Sequence, residues 1–222
     1  MEQDLRPISL TPTVSKVFES LVGRRLLSSV ADKFDKKQFG GIKGRSTSHA
    51  LVDILHTWNK ALDEEQSVRV LFIDYAKAFD HVDHKTAMRK LAALGVSPIL
   101  VRWIRSFLTN RLQRVKIGDT FSDWSSPNGG MPQGTWLGPF VFLCLINDLQ
   151  SALQLHKFVD DCTLTEVLSK LSASTMQHEL DVVDNWSQAN FMKINTKKTK
   201  VMELRPNRKK SYKRTAPKRS SD

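Results

Sequence analysis

Two adjacent carboxylates in an apolar setting are the residues of this chain best suited to chemistry. Asp160 and Asp161 stand between Phe158-Val159 and Cys162-Thr163-Leu164. Side by side in a hydrophobic strand, two carboxylates repel each other and lose hydration, so a cation is needed to compensate for them. A hard divalent ion such as Mg²⁺ prefers oxygen ligands of this kind. The pair predicts a metal site, and in a basic chain such a site indicates phosphates and therefore nucleic acid.

A third carboxylate is required for two-metal phosphoryl transfer, in which acids hold two Mg²⁺ ions about 3.5–4 Å apart. Asp74 fits because it ends the apolar, β-branched run Val68–Ile73, as Asp160 follows a second apolar run. If the two strands are neighbours, the three acids converge at one edge of a sheet. By itself, Asp74 is better explained as a strand-ending acid that caps a turn; together with Asp160 and Asp161 in a basic chain, the two explanations are about equal.

The charge of the chain is concentrated in its last residues. The 222 residues carry a formal net charge of +11, and 40% of them are hydrophobic, as in an ordinary globular domain. Residues 205–222 contain eight Lys or Arg and one acid, which gives this tail +7 and leaves +4 for the rest. A polyanionic partner is therefore indicated weakly by the body of the chain and more strongly by the tail.

The sequence predicts an intracellular protein that does not span a membrane. No signal peptide is visible, and the longest apolar run, Trp136–Ile146, has about half the length of a membrane span. Cys144 and Cys162 are expected to be buried thiols in a reducing compartment. The basic clusters Asn207–Lys210 and Lys213-Arg214 are typical of nuclear-localisation signals, which also occur by chance.

Hydrophobic periodicity predicts an α+β fold. The expected helices are Thr13–Ala31, a helix capped by Ser46-Thr47, His84–Leu94, Pro98–Thr109, Leu137–Leu153 and Ala173–Gln188. The expected strands are Val68–Ile73, Arg114–Ile117, Phe121–Trp124, Leu155–Val159, Thr163–Val167 and a pair formed by Phe191–Ile194 and Val201–Leu204. The first helix is expected to carry Val17, Phe18, Leu21 and Leu26 on one side. The strands around the two acids predict a hairpin with the carboxylates at its tip.

Six segments, in order over about Asp4 to Leu204, resemble motifs of the reverse transcriptase domain of non-LTR (LINE-type) retrotransposons. They are Arg6-Pro7-Ile8-Ser9-Leu10; Gln38-Phe39-Gly40 with Gly44-Arg45-Ser46-Thr47; Phe72–Asp80 (motif A); Gly130–Pro139 (motif B); Phe158–Asp161 (motif C); and Asn195 with Lys198-Thr199 (motif D). The resemblance implies a polymerase palm, an antiparallel sheet backed by helices, with partial fingers and no thumb. Residues 1–66 would be partial fingers and connecting helices, residues 67–204 the palm with motifs A to D, and residues 205–222 a disordered basic tail.

The resemblance also assigns roles to acids and to one lysine. Asp74, Asp160 and Asp161 would hold two Mg²⁺ ions, or Mn²⁺ in their place, that join a primer 3′-OH to the α-phosphate of a dNTP. Lys198 would protonate the pyrophosphate leaving group. A solvated charge is the alternative for Lys198, because it lies in a lysine-rich stretch. Asp80 is expected to be structural.

Further residues would contact the nucleotide or the template. Arg6 would contact the triphosphate, and Gln133 and Gly134 would lie along the nucleotide and template. Phe79 would be the steric gate against a ribose 2′-OH, with a core aromatic as the alternative. Arg45 would grip template phosphate or be a solvated loop charge.

The expected function is therefore that of an RNA-directed DNA polymerase domain within a retroelement polyprotein, acting on an RNA template, a DNA primer and dNTPs. The alternative is a catalytically inactive nucleic-acid-binding remnant, because a basic tail stands where a thumb is usual. Trp136 departs from the usual motif B and would either crowd the template or fill the core. The sequence indicates no oligomeric state.

Overall fold

A four-stranded antiparallel sheet forms the centre of the computed structural model, which describes residues 8–127 and 129–206. Its strands are β1 (Ser67–Ile73), β4 (Gln154–Phe158), β5 (Asp161–Leu168) and β6 (Lys200–Leu204), in the order β4-β5-β1-β6. Two short strands, β2 (Lys116–Ile117) and β3 (Thr120–Phe121), form a separate hairpin. The sheet confirms the predicted α+β class.

Helices on both sides of the sheet bury its apolar residues. They are α1 (Thr13–Val30), α2 (Thr47–Asp63), α3 (His84–Ala93), α4 (Pro98–Leu108), α5 (Leu137–Ile146) and α6 (Met176–Ala189). Leu71 and Ile73 of β1 join the main core around α5, whereas Val68 and Val70 pack with α2 in a smaller cluster. Because side chains alternate across a strand, α2 lies on the opposite face from α5. The helices therefore back both faces of the sheet.

Helix starts follow the capping residues of the sequence. Ser46 accepts a hydrogen bond from the His49 backbone N–H at the start of α2, as predicted. Asp83 accepts from the Thr86 N–H at the start of α3. These side-chain oxygens satisfy N–H groups that have no partner within a helix, which explains where α2 and α3 begin.

Helix α5 ends at Ile146, seven residues before the predicted end at Leu153, and a lysine binds the carbonyls at and just beyond this end. The Lys157 ammonium donates to the carbonyl oxygens of Ile146, Asn147 and Leu149 at 3.4, 3.3 and 2.9 Å. Hydrogen bonds from a lysine to terminal carbonyls stabilise a helix end. The apolar residues beyond it continue the helical spacing without continuing the helix.

The predicted strand pair near the C-terminus is wrong. Residues 191–194 form no strand, and Ile194 makes only an isolated bridge to Tyr75. β6 instead pairs antiparallel with β1, with Val68 opposite Leu204 and Phe72 opposite Lys200. The strand pairs with a partner far away in sequence, which local patterns do not reveal.

The apolar residues of α1 do not share one buried face. Leu26 is buried, but Val17, Phe18 and Leu21 are exposed. The buried residues of the helix are Glu19, Gly23, Leu26 and Val30. On this face, Gly23 lies against the indole of Trp136.

Within the described residues, no helix has the length and apolar character needed to cross a membrane. Cys144 and Cys162 are both buried and free, as expected. Burial raises the pKa of the Cys162 thiol to about 12.

Candidate active site

The pairing of β1 with β5 brings the predicted acids to one edge of the sheet. Ile73 lies opposite Cys162, so Asp74 leaves β1 where Asp161 begins β5. Phe158 pairs with Asp161, which leaves Val159 and Asp160 as the two turn residues of the β4–β5 hairpin. The strand that ends at Asp74 and the strand that Asp160 follows are therefore not direct neighbours, as the prediction required, because β5 lies between β4 and β1. The acids still share one edge of the sheet, since β5 begins at Asp161 and pairs with both strands.

Asp161 and Asp74 interact as like charges. Partial burial of its carboxyl raises the pKa of Asp161, the Asp74 carboxylate raises it further, and Lys198 acts in the opposite direction. A raised pKa means that the charged form is disfavoured where it stands. The edge of the sheet thus holds negative charges that the protein compensates only in part.

Asp160 lies in the hairpin turn and is half-buried. Its charge, with that of Asp161, raises the pKa of the neighbouring Cys162 thiol, after the larger effect of burial. Across residues 8–127 and 129–206, no three acidic, His or Cys side chains are gathered closely enough to form a ready-made metal site. Carboxylate oxygens that repel each other nevertheless match a hard divalent ion in donor type.

Residues Gln38–Gly40, which we call the bracing segment, contact the turn that carries Asp160 and hold it in place. The side-chain oxygen of Gln38 accepts from the backbone N–H groups of Gly40 and Val159, both at 3.0 Å. The Phe39 N–H donates to the Lys157 carbonyl at 2.8 Å, so the segment runs beside β4. Motif resemblance identified Gln38-Phe39-Gly40 without showing that these residues hold the turn.

Gly40 is required at this contact by space rather than by backbone angle. A Cβ at Gly40 would lie 2.7 Å from the backbone N of Val159 and 2.9 Å from the carbonyl carbon of Phe158. Real Cβ atoms do not approach backbone this closely, so any side chain at Gly40 would push the hairpin turn away.

A second turn brings Lys198 to the acids. The Asn195 N–H donates to the Asp74 carbonyl at 2.7 Å, and the Asp74 N–H donates to Thr199 Oγ1 at 3.4 Å. The N–H groups of Lys198 and Thr199 both donate to the Asn195 carbonyl, at 3.1 and 2.9 Å. These bonds fasten the motif D residues to the end of β1, which explains why the Lys198 charge acts on Asp161.

The predicted nucleotide-binding residues of motif B are tied to motif A. The Gln133 side-chain amide donates to Asp80 Oδ1 at 3.0 Å, which agrees with a structural role for Asp80. Because an ionised carboxylate only accepts hydrogen bonds, the amide nitrogen must face Asp80 and the amide oxygen is turned away from it. Phe79 stacks on Phe142 with ring centroids 4.7 Å apart, and its carbonyl accepts from the Met131 N–H.

The chain before α1 packs on the motif B loop. Gly134 has a φ of +94°, and a Cβ there would lie 3.3 Å from Ile8 Cγ2 and 3.5 Å from the Ser9 carbonyl oxygen. The Ser9 N–H donates to the Gln133 carbonyl at 2.8 Å. Arg6, the predicted triphosphate ligand, lies outside the described residues.

Arg45 has structural contacts within its own loop. Its guanidinium Nη1 donates to the carbonyls of Asp35 at 2.6 Å and Lys36 at 3.2 Å, and also to the Gln38 carbonyl. It therefore closes the turn that precedes the bracing segment. Its contact with template phosphate stays a prediction.

Trp136 fills space between two helices. Its indole stacks on Phe140 at 5.3 Å and lies over Gly23 of α1, where a Cβ would approach the ring to 2.6 Å. Beside it, the buried Glu19 carboxylate accepts the Leu137 N–H at 3.3 Å, in the first turn of α5. Trp136 is 40% exposed, so its indole packs between α1 and α5 at the surface and is not part of the buried core.

Sequence comparisons find the same kind of protein over most of the chain. A family model described as "Reverse transcriptase (RNA-dependent DNA polymerase)" matches residues 2–216. The chain is 26% identical over 211 residues to the probable RNA-directed DNA polymerase from transposon BS of Drosophila melanogaster, covering 89% of this chain and 23% of that protein. It is 28% identical over 207 residues to the RNA-directed DNA polymerase from mobile element jockey of Drosophila melanogaster, covering 87% and 22%.

Solved structures share the fold at low sequence identity. Telomerase from Candida tropicalis, in complex with the TWJ fragment of telomeric RNA, has a TM-score of 0.62 and 15% identity, covering 86% of this chain and 34% of that chain. Apo telomerase from Candida tropicalis has a TM-score of 0.63 and 13% identity, covering 85% and 36%. The described fold is thus a polymerase palm. The chain spans 22–23% of the length of the two Drosophila relatives.

Proposed function

Because this chain belongs to the reverse transcriptase (RNA-dependent DNA polymerase) family, we propose that it catalyses RNA-directed DNA synthesis as part of a retroelement polyprotein. In this reaction a primer 3′-OH attacks the α-phosphate of a dNTP, and pyrophosphate leaves. The observation that carries the proposal is the pairing of β1 with β5, which sets Asp74 beside Asp161 with Asp160 in the adjoining turn.

Members of the family generally use divalent metal ions, and we propose two Mg²⁺ ions here, with Mn²⁺ able to replace them. Asp74, Asp160 and Asp161 would supply the oxygen ligands. When bound, such ions favour the attacking alkoxide and neutralise charge on the leaving oxygen. The repulsion between Asp74 and Asp161 supports this assignment, because a cation would relieve it.

The remaining site residues bind and orient the substrates. Lys198, close enough to act on Asp161, donates a proton to the leaving pyrophosphate. The Gln133 amide oxygen, turned away from Asp80, accepts a hydrogen bond from the nucleotide, and Gly134 lets the backbone approach it. Phe79, held against Phe142, blocks a ribose 2′-OH, and Arg6 contacts the triphosphate.

The proposed partners are an RNA template and a DNA primer. Residues 1–66 would act as partial fingers and residues 67–204 as the palm. The basic tail that begins at Arg205 would add affinity for phosphates; residues 207–222 of it lie outside the described residues. The protein would be intracellular, and the basic clusters of the tail would direct it to the nucleus.

Primer extension on an RNA template tests the proposal. With Mg²⁺ and dNTPs, the intact chain should extend the primer, and Asp160→Asn should abolish extension because a metal ligand loses its charge. Asp63→Asn, an exposed acid at the end of α2, is the matched control and should extend normally. No extension by the intact chain would reject polymerase activity. Salt-sensitive RNA binding in that case would support the inactive nucleic-acid-binding remnant instead.

A further inference from the structure

An exposed hairpin between motifs A and B carries a row of cationic and aromatic side chains. The Arg114 guanidinium lies between two rings, 4.0 Å from the centroid of Phe121 and 4.7 Å from that of Trp124. The Lys116 ammonium lies 5.4 Å from the Phe121 centroid. We refer to Arg114, Lys116, Phe121 and Trp124 as the cation–aromatic face.

The hairpin is not part of the core. Trp124 is 60% exposed and Phe121 is 46% exposed, which is unusual for large aromatic side chains. Lys116 pairs with Phe121 and Ile117 pairs with Thr120, so alternation along the strand sets Ile117 on the opposite face. Ile117 is 72% exposed. The two faces of one hairpin therefore offer different surfaces to the solvent.

We propose that the cation–aromatic face binds single-stranded RNA, and this inference deepens the proposed function because the bound strand would be the template. Charge favours a polyanion: residues 98–125 contain five Lys or Arg and two Asp. Exposed aromatic rings favour unpaired bases, which stack on them without sequence preference. An apolar protein partner would favour the exposed aromatic rings but not the positive charge beside them.

The contacts of Arg114 prepare it for a phosphate. A guanidinium held over aromatic rings by cation–π contacts can still donate N–H hydrogen bonds to phosphate oxygens. Because Phe121 and Trp124 already hold the side chain, less conformational freedom is lost when the phosphate binds.

The hairpin also leads directly to the proposed nucleotide site. Gln113 and Ser125 pair at its base, with N–H···O distances of 2.8 Å in both directions. Six residues later, the Met131 N–H donates to the Phe79 carbonyl at the start of the loop that carries Gln133. The hairpin and the loop that carries Gln133 are therefore close along the chain, which supports the template as the occupant of the cation–aromatic face.

Binding of a short oligouridylate RNA, and separately of heparin, tests the inference over a range of salt concentrations. Heparin is a polyanion without bases. Trp124→Ala should weaken oligouridylate binding about ten-fold, since stacking on one aromatic side chain contributes about this much. It should weaken heparin binding by much less, because for heparin only the preorganisation of Arg114 is lost. Arg114→Ala should reduce the slope of log affinity against log salt by about 0.7 for the RNA.

Ile117→Ser, on the opposite face of the same hairpin, is the matched control and should bind both ligands normally. Trp124→Phe keeps a ring and should restore most of the RNA affinity, which separates stacking from loss of the hairpin fold. Unchanged RNA binding by Trp124→Ala, or an equal loss in Ile117→Ser, would overturn the inference. These binding assays contain no dNTPs and do not depend on catalysis. If the chain binds RNA with the predicted effects of the variants but does not extend primers, only the proposed polymerase activity is rejected.

Discussion

Two charged groups of the β4–β5 hairpin differ in how the protein compensates for them. Lys157, the residue paired with Cys162, has a fully buried side chain. Its ammonium lies 2.7 Å from Asp35 Oδ2 and donates to three backbone carbonyls. Asp161, next to Cys162 in sequence, instead faces the like charge of Asp74.

The difference separates a charge compensated within the chain from one that is proposed to bind a metal ion. Lys157 finds its counter-charge and hydrogen-bond partners inside the chain, and it fixes the end of α5 and the turn at Asp35. The acids at the end of β1 repel each other, so their arrangement costs stability unless a cation is present. Burial of charge alone would therefore be a poor guide to the active site; the convergence of like charges is the better one.

The largest expected effect on stability comes from removing Lys157, the charge that the chain compensates. Lys157→Met leaves Asp35 and the carbonyls at and just beyond the end of α5 without their partner, and should lower the free energy of unfolding by about 3–5 kcal/mol. Urea unfolding measures the change. Adding Asp35→Asn to Lys157→Met should recover part of the loss, and a single-variant cost below about 1 kcal/mol would contradict a tightly compensated pair.

A smaller effect on stability is expected from a substitution where the bracing segment contacts the turn of Val159 and Asp160. Gly40→Ala places a methyl group against Val159 and should cost about 1–3 kcal/mol by overpacking. Primer extension should fall as well, because the turn carries Asp160. Gly44→Ala is the control: its Cβ would meet nothing within 4 Å, and only its φ of +83° causes strain, costing about 1–2 kcal/mol. Normal extension by Gly40→Ala would show that the turn tolerates displacement.

The smallest effect has the opposite sign. The pKa of Asp161 is raised in the folded chain, so the folded state holds the proton more strongly and loses stability as pH rises through the interval from 3.8 to that raised pKa. Asp161→Asn should therefore raise the free energy of unfolding at pH 7 by only a few tenths of a kcal/mol, since the residue is largely exposed.

This small gain should disappear at pH 3, where Asp161 is already protonated, and urea midpoints at the two pH values measure it. The same variant should not extend primers. Equal stabilisation at both pH values would remove the like-charge explanation.

The edge of the sheet that carries the three acids was predictable because its signals are local. An apolar run that ends in Asp74 and two runs that flank Asp160-Asp161 predict a strand and a hairpin, and the structure confirms that they are neighbours. The residues that support this edge were harder to predict. Gln38 and Gly40 contact the backbone of the hairpin turn, which is more than a hundred residues away in sequence. No local pattern predicts such a contact.

The missed boundaries have similar physical causes. The spacing of Leu149 and Leu153 continues the helical period of α5, but the carbonyls at and beyond Ile146 bind the Lys157 ammonium of the next strand. Trp136 could not be assigned from sequence because the space it fills is provided by Gly23 on another helix. Tertiary contacts decided both cases where local preference was silent or misleading.

Binding of Mn²⁺, followed by the electron paramagnetic resonance signal of the free ion, tests most directly whether the convergent acids form a metal site. The intact chain should remove free Mn²⁺ from solution, and Asp74→Asn with Asp161→Asn should abolish this binding. Asp181→Asn with Asp184→Asn, a pair of acids on α6, is the matched control and should bind Mn²⁺ normally. Equal Mn²⁺ affinity in the intact chain and in the Asp74/Asp161 double variant would contradict the account.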